Sequence, residues 1–264
     1  MKPEQNILKT KYNIEALSRG LDILSLFTAE NPALSFTQIV ETVKLNKSTV
    51  FRILATLESL HYLEQNSTTR LYRPGIRVLQ LGFTAISSME ISQVTRPYLE
   101  LLSQRLGETI SLAVLDGFST IYIDRVRNQS IVGVILRIGS NLPAHCSSLG
   151  KVLLADLPGP DLDKLLSEHE LVPYTSKTIT SREILLADLE KIRQRGYSLG
   201  DEELAVGLRA VSAPIRDSTQ RAIAAVNVTG QLQHMGYDRI ENEIIPSLLD
   251  TVRNISISLG YLPK

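Results

Sequence analysis

The chain has 264 residues, 43% of them apolar, with 28 Lys and Arg balanced by 28 Asp and Glu; this suffices for one large or two modest domains and excludes a disordered tail. No apolar run is long enough for a membrane span, and the opening MKPEQNILKTKYN lacks the apolar stretch of a signal peptide, so the cytoplasm is the expected compartment. The single cysteine, Cys146, excludes an intramolecular disulfide and an all-cysteine metal cage.

The neutral total hides an asymmetry: residues 1–80 carry ten Lys and Arg against seven Asp and Glu, a net +3, and the remainder carries eighteen against twenty-one, a net −3. A small basic module can present its positive face to a polyanion without the whole protein being basic. In chain order, LSRGLDILSLF predicts a helix with Leu17, Leu21, Leu24 and Phe27 on its buried stripe, ended by Asn31-Pro32. SFTQIVETV opens with Ser35 three residues before Gln38, a capping box, and offers Ile39, Val40 and Val43 to a core. After the tight connection KLN, Asn46 is the expected N-cap of a third helix. There Val50, Ile53, Leu54, Leu57 and Leu60 form the buried face, leaving Lys47, Ser48, Phe51, Arg52 and Ala55 on the other. Two short strands, Tyr62 to Gln65 and Leu71 to Arg73, then flank a polar tip from Asn66 to Arg70.

From Gly75 to Gly107 the pattern is helical, with Val78, Leu81, Ala85 and Met89 on one face and a break expected near Ser92; this segment reads as a linker and dimer contact. Strand patterns follow in TISLAVL, STIYIDRV and SIVGVILRI, then a loop, GSNLPAHCSS. Helical LGKVLLADL, DLDKLLSEH and REILLADLEKIRQRG come next, the last capped by Thr180 or Ser181 and closed at Gly196. Strand-like GLRAVSAPI and AIAAVNVTG flank a turn at Asp217 to Gln220, and a final helix runs from about Tyr237 to Leu259. This order predicts an α+β sandwich of antiparallel sheet and flanking helices.

Two helices joined by a short turn, the second small, polar and basic in its first half, meet the requirements of a helix-turn-helix. Arg52 has the geometry to bond guanine bidentately, Ser48 and Thr49 to reach a base or phosphate, and Lys47 to hold a phosphate. Arg70 and Arg73 on the hairpin would touch backbone as a wing. Spacing alone favours a solvated amphipathic helix; the hairpin directly behind it shifts the balance towards the DNA-reading alternative.

The segment LSRGLDILSLF…SFTQIVETVKLNKSTVFRILATLESLHYL…RLYRPGIRVLQLG resembles the winged helix-turn-helix of the IclR family of transcriptional regulators. The resemblance continues through SLAVLDGFSTIYIDRV, GSNLPAHCSSLGKVLLA, RGYSLGDEELAVGLRAVSAPI and AIAAVNVTG, so it covers nearly the whole chain. It implies an N-terminal winged helix-turn-helix over residues 1–80, a linker helix over 81–92 and a GAF-like effector-binding domain over 93–264. The implied DNA-contacting set is Thr37, Lys47, Ser48, Thr49, Phe51, Arg52, Arg70 and Arg73. The implied effector pocket has Ile131, Val134 and Leu142 as its apolar wall, Ser148 and Leu149 offering backbone N–H groups, and Gly200, Leu208, Ala210, Asn227 and Thr229 opposite. A helix beginning near Ser147 has a positive dipole end suited to a carboxylate, and Asn227 and Thr229 share one face of a strand.

Many family members carry two aspartates before the paired glutamates, whereas this chain reads Gly200-Asp201-Glu202-Glu203. The missing carboxylate, with NLPAHCSSLGKVLLA and DEELAVGLRAVSAPI, is closer to the branch responding to aromatic acids such as protocatechuate or 4-hydroxybenzoate. A metal at His145-Cys146 with Asp201 and Glu202 is disfavoured, since adjacent His and Cys lack the usual ligand spacing; no cofactor is expected. No local signature supports a Cys-His hydrolase, and no glycine run has phosphate-loop spacing. Glu202 and Glu203 read as solvated or capping groups. The resulting expectation is a non-enzymatic regulator, a homodimer or dimer of dimers, binding a double-stranded DNA operator under control of a small organic acid. The competing class is a small-molecule enzyme or carrier with an N-terminal protein-interaction module.

Overall fold

The computed structural model of the chain describes residues 14–28, 31–87, 90–127 and 136–262 and divides into two compact units, Met1–Ser88 and Met89–Lys264. In the first, α1 (Glu15–Leu24), α2 (Phe36–Val43) and α3 (Lys47–Ser59) are followed by a hairpin of β1 (Leu63–Gln65) and β2 (Tyr72–Pro74) and by α4 (Ile76–Ser87). The expected caps form. The Ser35 hydroxyl accepts from Gln38 N while the Gln38 side chain accepts from Ser35 N, and Asn46 Oδ1 accepts from Thr49 N at 2.8 Å. Between them Lys44 takes a left-handed conformation, φ 54°, which turns the chain sharply from α2 into α3. Ile23, Ile39, Val50, Leu54 and Leu63 are fully buried in the core these helices share with Tyr72, each such side chain contributing about 2 kcal/mol of transfer free energy.

The buried stripe of α1 differs from the expected one. Leu17 and Leu21 are 60% and 55% exposed, and the buried positions are Gly20 and Ile23. The face turned to α3 is that of Gly20, where a Cβ would lie in ordinary contact 3.9 Å from Ile53 Cγ2, and Leu17 and Leu21 face away from it. These two line an open groove with Leu24, Ile53, Leu57 and Leu60. Leu60, expected in the core, is the C-cap of α3 and exposed. The first helix also stops at Leu24, before Asn31-Pro32. Gly75, just before α4, is required, because a Cβ there would sit 2.3 Å from the His61 carbonyl oxygen.

The second unit begins with α5 (Glu90–Leu106), and Ser92, expected at a break, lies inside it. The buried stripe Ile91, Leu99, Leu102 and Leu106 carries the helix through, tertiary packing overriding local propensity. Of the segment 81–92, residues 81–87 belong to α4 and residues 90–92 to α5, and residues 88 and 89 lie outside the described residues. Six antiparallel strands follow: β3 (Thr109–Asp116), β4 (Ser119–Val126), β5 (Asn141–Pro143), β6 (Ser198–Asp201), β7 (Leu208–Arg216) and β8 (Ala222–Gln231), in the order β5-β4-β3-β8-β7-β6. Most of SIVGVILRI falls outside the described residues, and its last residues, 136–138, are not strand. The edge strand β5 lies in a segment expected to be loop and β6 in one to which no element was assigned; each is only three or four residues long and carries no run of alternation to betray it.

One sheet face, with Ile110, Leu112, Val211, Ala213, Val226 and Val228, is covered by α5 and by α10 (Ile245–Ser258), which continues from α9 (Tyr237–Arg239) through a π-helical turn, Ile240–Ile244. Across the other face lies α6 (Ser148–Leu154), backed by α7 (Gly159–Glu168) and α8 (Arg182–Arg195). Ser147 caps α6, accepting from Gly150 N at 3.1 Å. A Cβ on Gly150 would lie 2.2 Å from Ala144 Cα, so only glycine lets the chain leaving β5 cross its own helix this closely. That crossing holds Cys146, Ser147 and Ser148 over the sheet.

Candidate functional site

Two sites emerge, one in each unit. On α3, Lys47, Ser48, Phe51 and Arg52 share the exposed face, Phe51 being 60% exposed, while Val50 and Leu54 anchor the opposite face. Thr49 is half-buried, its amide held by the Asn46 cap, and Ser48 Oγ donates to Asn46 Oδ1 at 2.9 Å. Thr37 is exposed in the first turn of α2. At the hairpin tip Asn66 Oδ1 accepts from Thr68 N and Thr69 N, and Arg70 is exposed in a left-handed conformation, φ 59°. Arg73 differs from the rest. It pairs across the hairpin with Glu64, Nη2 to Oε2 at 2.9 Å, so this cation is already partnered. The surface offers hydrogen-bonding, apolar and cationic groups from the first turns of a second helix, the composition that reads base edges in a major groove.

The second site is a cavity of about 60 Å³ between the sheet and the start of α6, lined in part by Ser111, Tyr122, Arg125, Ser148, Glu203 and Asn227. Its floor follows from strand register. Arg125 on β4 pairs with Ser111 on β3, Ser111 with Asn227 on β8, Asn227 with Ser212 on β7, and Ser212 with Ser198 on β6. Partners in register point to the same face, so five strands contribute one polar row beneath α6. Flanking it are Thr229, Ala210 and Gly200, also in register.

Several polar atoms around the cavity have defined partners. Ser212 Oγ donates to Ser148 Oγ at 2.7 Å, and Arg125 Nη1 donates to the Leu136 carbonyl at 2.5 Å. Arg209 is committed to Asp201 and to the Met235 carbonyl and stacks on the Tyr237 ring. Others lack a partner among the described residues: Arg125 Nε, Asn227 Oδ1 and Glu203 Oε2 are buried and make no hydrogen bond there. Behind the wall Lys151, 1% exposed, places Nζ 2.6 Å from Glu203 Oε1 and 2.8 Å from Asp188 Oδ2. Burial pushes the Glu203 carboxyl above its ordinary pKa, and the Lys151 charge pulls in the opposite direction.

Of the ten expected pocket residues, Ser148, Gly200, Leu208, Ala210, Asn227 and Thr229 line this cavity. The side chain of Leu142 instead packs in the apolar cluster that includes Val152 and Leu185, as does that of Leu149, whose expected contribution is its backbone N–H at the start of α6; Ile131 and Val134 lie outside the described residues. Ser111, Tyr122, Arg125 and Glu203 were not expected, since only the strand pairing and the burial of Lys151 bring them in. Glu203 is neither solvated nor a cap, and Glu202 accepts from Gly207 N and from Lys177, closing the loop above the cavity.

Among the described residues no group of three or more His, Cys, Asp and Glu side chains could hold a metal, and no helix is long and apolar enough to cross a membrane. Burial, reinforced by Glu203, pushes the Cys146 thiol up to about 12. It is protonated at neutral pH, the opposite of what a nucleophilic cysteine requires. His145 is buried, stacked on Phe118 and bonded through Nε2 to the Val172 carbonyl, and burial lowers its pKa.

A helix-turn-helix with a basic-tipped hairpin and a separate sheet-floored cavity define a DNA-binding regulator with an effector-binding domain. Residues 16–67 match the IclR helix-turn-helix domain model and residues 83–257 that of the bacterial transcriptional regulator IclR C-terminal domain. The chain belongs to the IclR family and is a sequence-specific DNA-binding transcriptional regulator. It is 35% identical over 216 residues to the HTH-type transcriptional regulator XynR of Escherichia coli K12, covering 82% of this chain and 86% of that one. Over 241 residues it is 32% identical to the Pca regulon regulatory protein of Pseudomonas putida, covering 91% and 82% respectively. A solved IclR homologue from Microbacterium hydrocarbonoxydans, complexed with 4-hydroxybenzoate, is 25% identical and superposes with a TM-score of 0.79 over 93% of this chain and 99% of that one.

Proposed function

We propose that the chain reads its operator through Thr37, Lys47, Ser48, Thr49, Phe51 and Arg52, with Arg70 and secondarily Arg73 on the backbone, and that a small organic acid of the aromatic class, held in the cavity over the sheet, modulates that binding. The observation that carries the reading is the exposed face of α3, where an amine, a hydroxyl, a phenyl ring and a guanidinium stand together on a helix fixed at its start by Asn46. The 4-hydroxybenzoate complex of the Microbacterium homologue supports the choice of effector class. The protein acts as a homodimer, or as two such dimers, on a roughly palindromic site, without catalysis and in the cytoplasm.

The test is a gel shift on the intergenic DNA beside the coding sequence, at rising salt and with aromatic and keto acids added. Specific retention that weakens steeply with salt, as phosphate contacts require, and responds to an aromatic acid is expected. Arg52→Ala should reduce operator affinity at least about tenfold with unchanged acid affinity. No retention at low salt refutes the DNA reading, and a response to keto acids alone refutes the aromatic assignment.

A further inference from the structure

Resting on the reading of α3 as the recognition helix, we infer that Phe51 is a specificity-determining residue and that what it reads is the 5-methyl group of a thymine in each half of the operator. Phe51 is 60% exposed, whereas Phe27, Phe36 and Phe118 all lie in or against a core cluster. It also stands outside the groove that Leu17, Leu21 and Leu60 line, so filling that groove does not account for the ring. A phenyl ring held in water has apolar surface to bury and no hydrogen bond to make.

The helix gives the ring a clear approach. Position 51 shares its face with Lys47 and Ser48, one turn earlier, and with Ala55, one turn later, all of them exposed. Ser48 and Ala55 are small, and Ser48 Oγ is drawn towards the helix start by its bond to Asn46 Oδ1. The ring therefore stands clear between two low positions, in the part of a recognition helix that reaches base edges. Chemistry then selects the base. In the major groove guanine offers two acceptors, adenine an acceptor and a donor, and cytosine a donor; only thymine adds an apolar group, its 5-methyl. A ring pressed on a polar edge atom strips its water without replacing the hydrogen bond, while on the methyl both partners gain by losing water. The two-fold symmetry of a dimer repeats the contact in the other half-site.

The full chain selects its operator from a random-sequence duplex library, and each thymine of that operator is then replaced by deoxyuridine, which removes the methyl alone. Fluorescence anisotropy should find one thymine per half-site whose replacement weakens binding about fourfold, the worth of one buried methyl, and about fifteenfold when both are replaced. In Phe51→Ala that penalty should vanish, while Arg52→Ala, weaker overall, should keep it. Position 51 is exposed, so the melting curve of Phe51→Ala should match that of the parent, and low salt keeps both variants bound through phosphate contacts. A penalty that persists in Phe51→Ala belongs to DNA shape and overturns the inference. So does an operator in which no single thymine shows a methyl effect. Selection that enriches no sequence instead refutes the recognition-helix reading itself.

Discussion

Lys151→Met removes the cation at the centre of a buried triad without greatly changing side-chain volume. Its amine contacts Glu203 Oε1 at 2.6 Å and Asp188 Oδ2 at 2.8 Å, with the Lys151 and Glu203 side chains 2% and 9% exposed and that of Asp188 23% exposed. Breaking a buried pair by deleting one partner costs about 3–5 kcal/mol. Asp188 can rehydrate, so the penalty falls on Glu203 and lies near the lower bound, about 3 kcal/mol at pH 8. With a urea dependence of about 2 kcal/mol per molar, the midpoint should drop by about 1.5 M. The deficit should depend on pH. Glu203 already has its pKa raised by burial in the folded protein, and losing Lys151 raises it further. A carboxyl with a raised folded pKa binds its proton more tightly folded than unfolded. Its contribution is therefore present below the ordinary carboxylate value and lost as pH climbs through the raised one. The variant's deficit should shrink between pH 8 and pH 5. Urea denaturation of the full chain followed by circular dichroism measures both. A loss below about 0.5 kcal/mol at pH 8, or the same deficit at both pH values, refutes the assignment of Glu203 as the stranded charge. Lys151→Met with Glu203→Leu should recover most of the loss, since a buried pair replaced by apolar groups is often neutral.

Glu64→Gln should tighten operator binding and steepen its salt dependence, by up to about 0.9 in the logarithmic slope, because Arg73 is released to a phosphate; fluorescence anisotropy against salt concentration checks this, and an unchanged slope counts against a wing role for Arg73. Asn46→Ala removes the cap of α3 and should destabilise the N-terminal unit by about 1 kcal/mol, lowering its melting transition by about 4–8 °C in calorimetry while that of the effector unit stays put. Because coupling between two ligands is reciprocal, whatever factor an acid imposes on operator affinity, saturating operator DNA must impose on acid affinity; unequal factors in paired titrations would exclude a simple two-site linkage.

The helix-turn-helix was largely legible because its signals are local. The Ser35 and Gln38 capping box, Asn46 and the polar hairpin tip each act within a few residues of themselves, and all form as expected. The buried stripe of α1 was misplaced because large apolar residues were taken as the guide to burial, whereas the face packed against Ile53 is the one that carries Gly20. The edge strands β5 and β6 escaped for a different reason: they exist through their neighbours β4 and β7, and strands of three or four residues have no periodicity of their own.

The cavity shows the same limit more sharply. Asn227 and Thr229 were readable as one face of one strand, but Arg125, Ser111, Ser212 and Ser198 join them only through the registers of four strand pairs, which span more than a hundred residues. A shift of one residue in any pair would send its contribution to the opposite, largely apolar face, so the polar row and the core of Ile110, Leu112, Val226 and Val228 specify each other. Of the six buried unpartnered side-chain atoms found among the described residues, three border this cavity. Each costs about 1–3 kcal/mol, and selection for stability alone would remove each by one apolar substitution at its position. Their presence together at this cavity, with Lys151 buried behind it and paired to Glu203, is the physical sign that this face is built to be completed by something other than the chain itself.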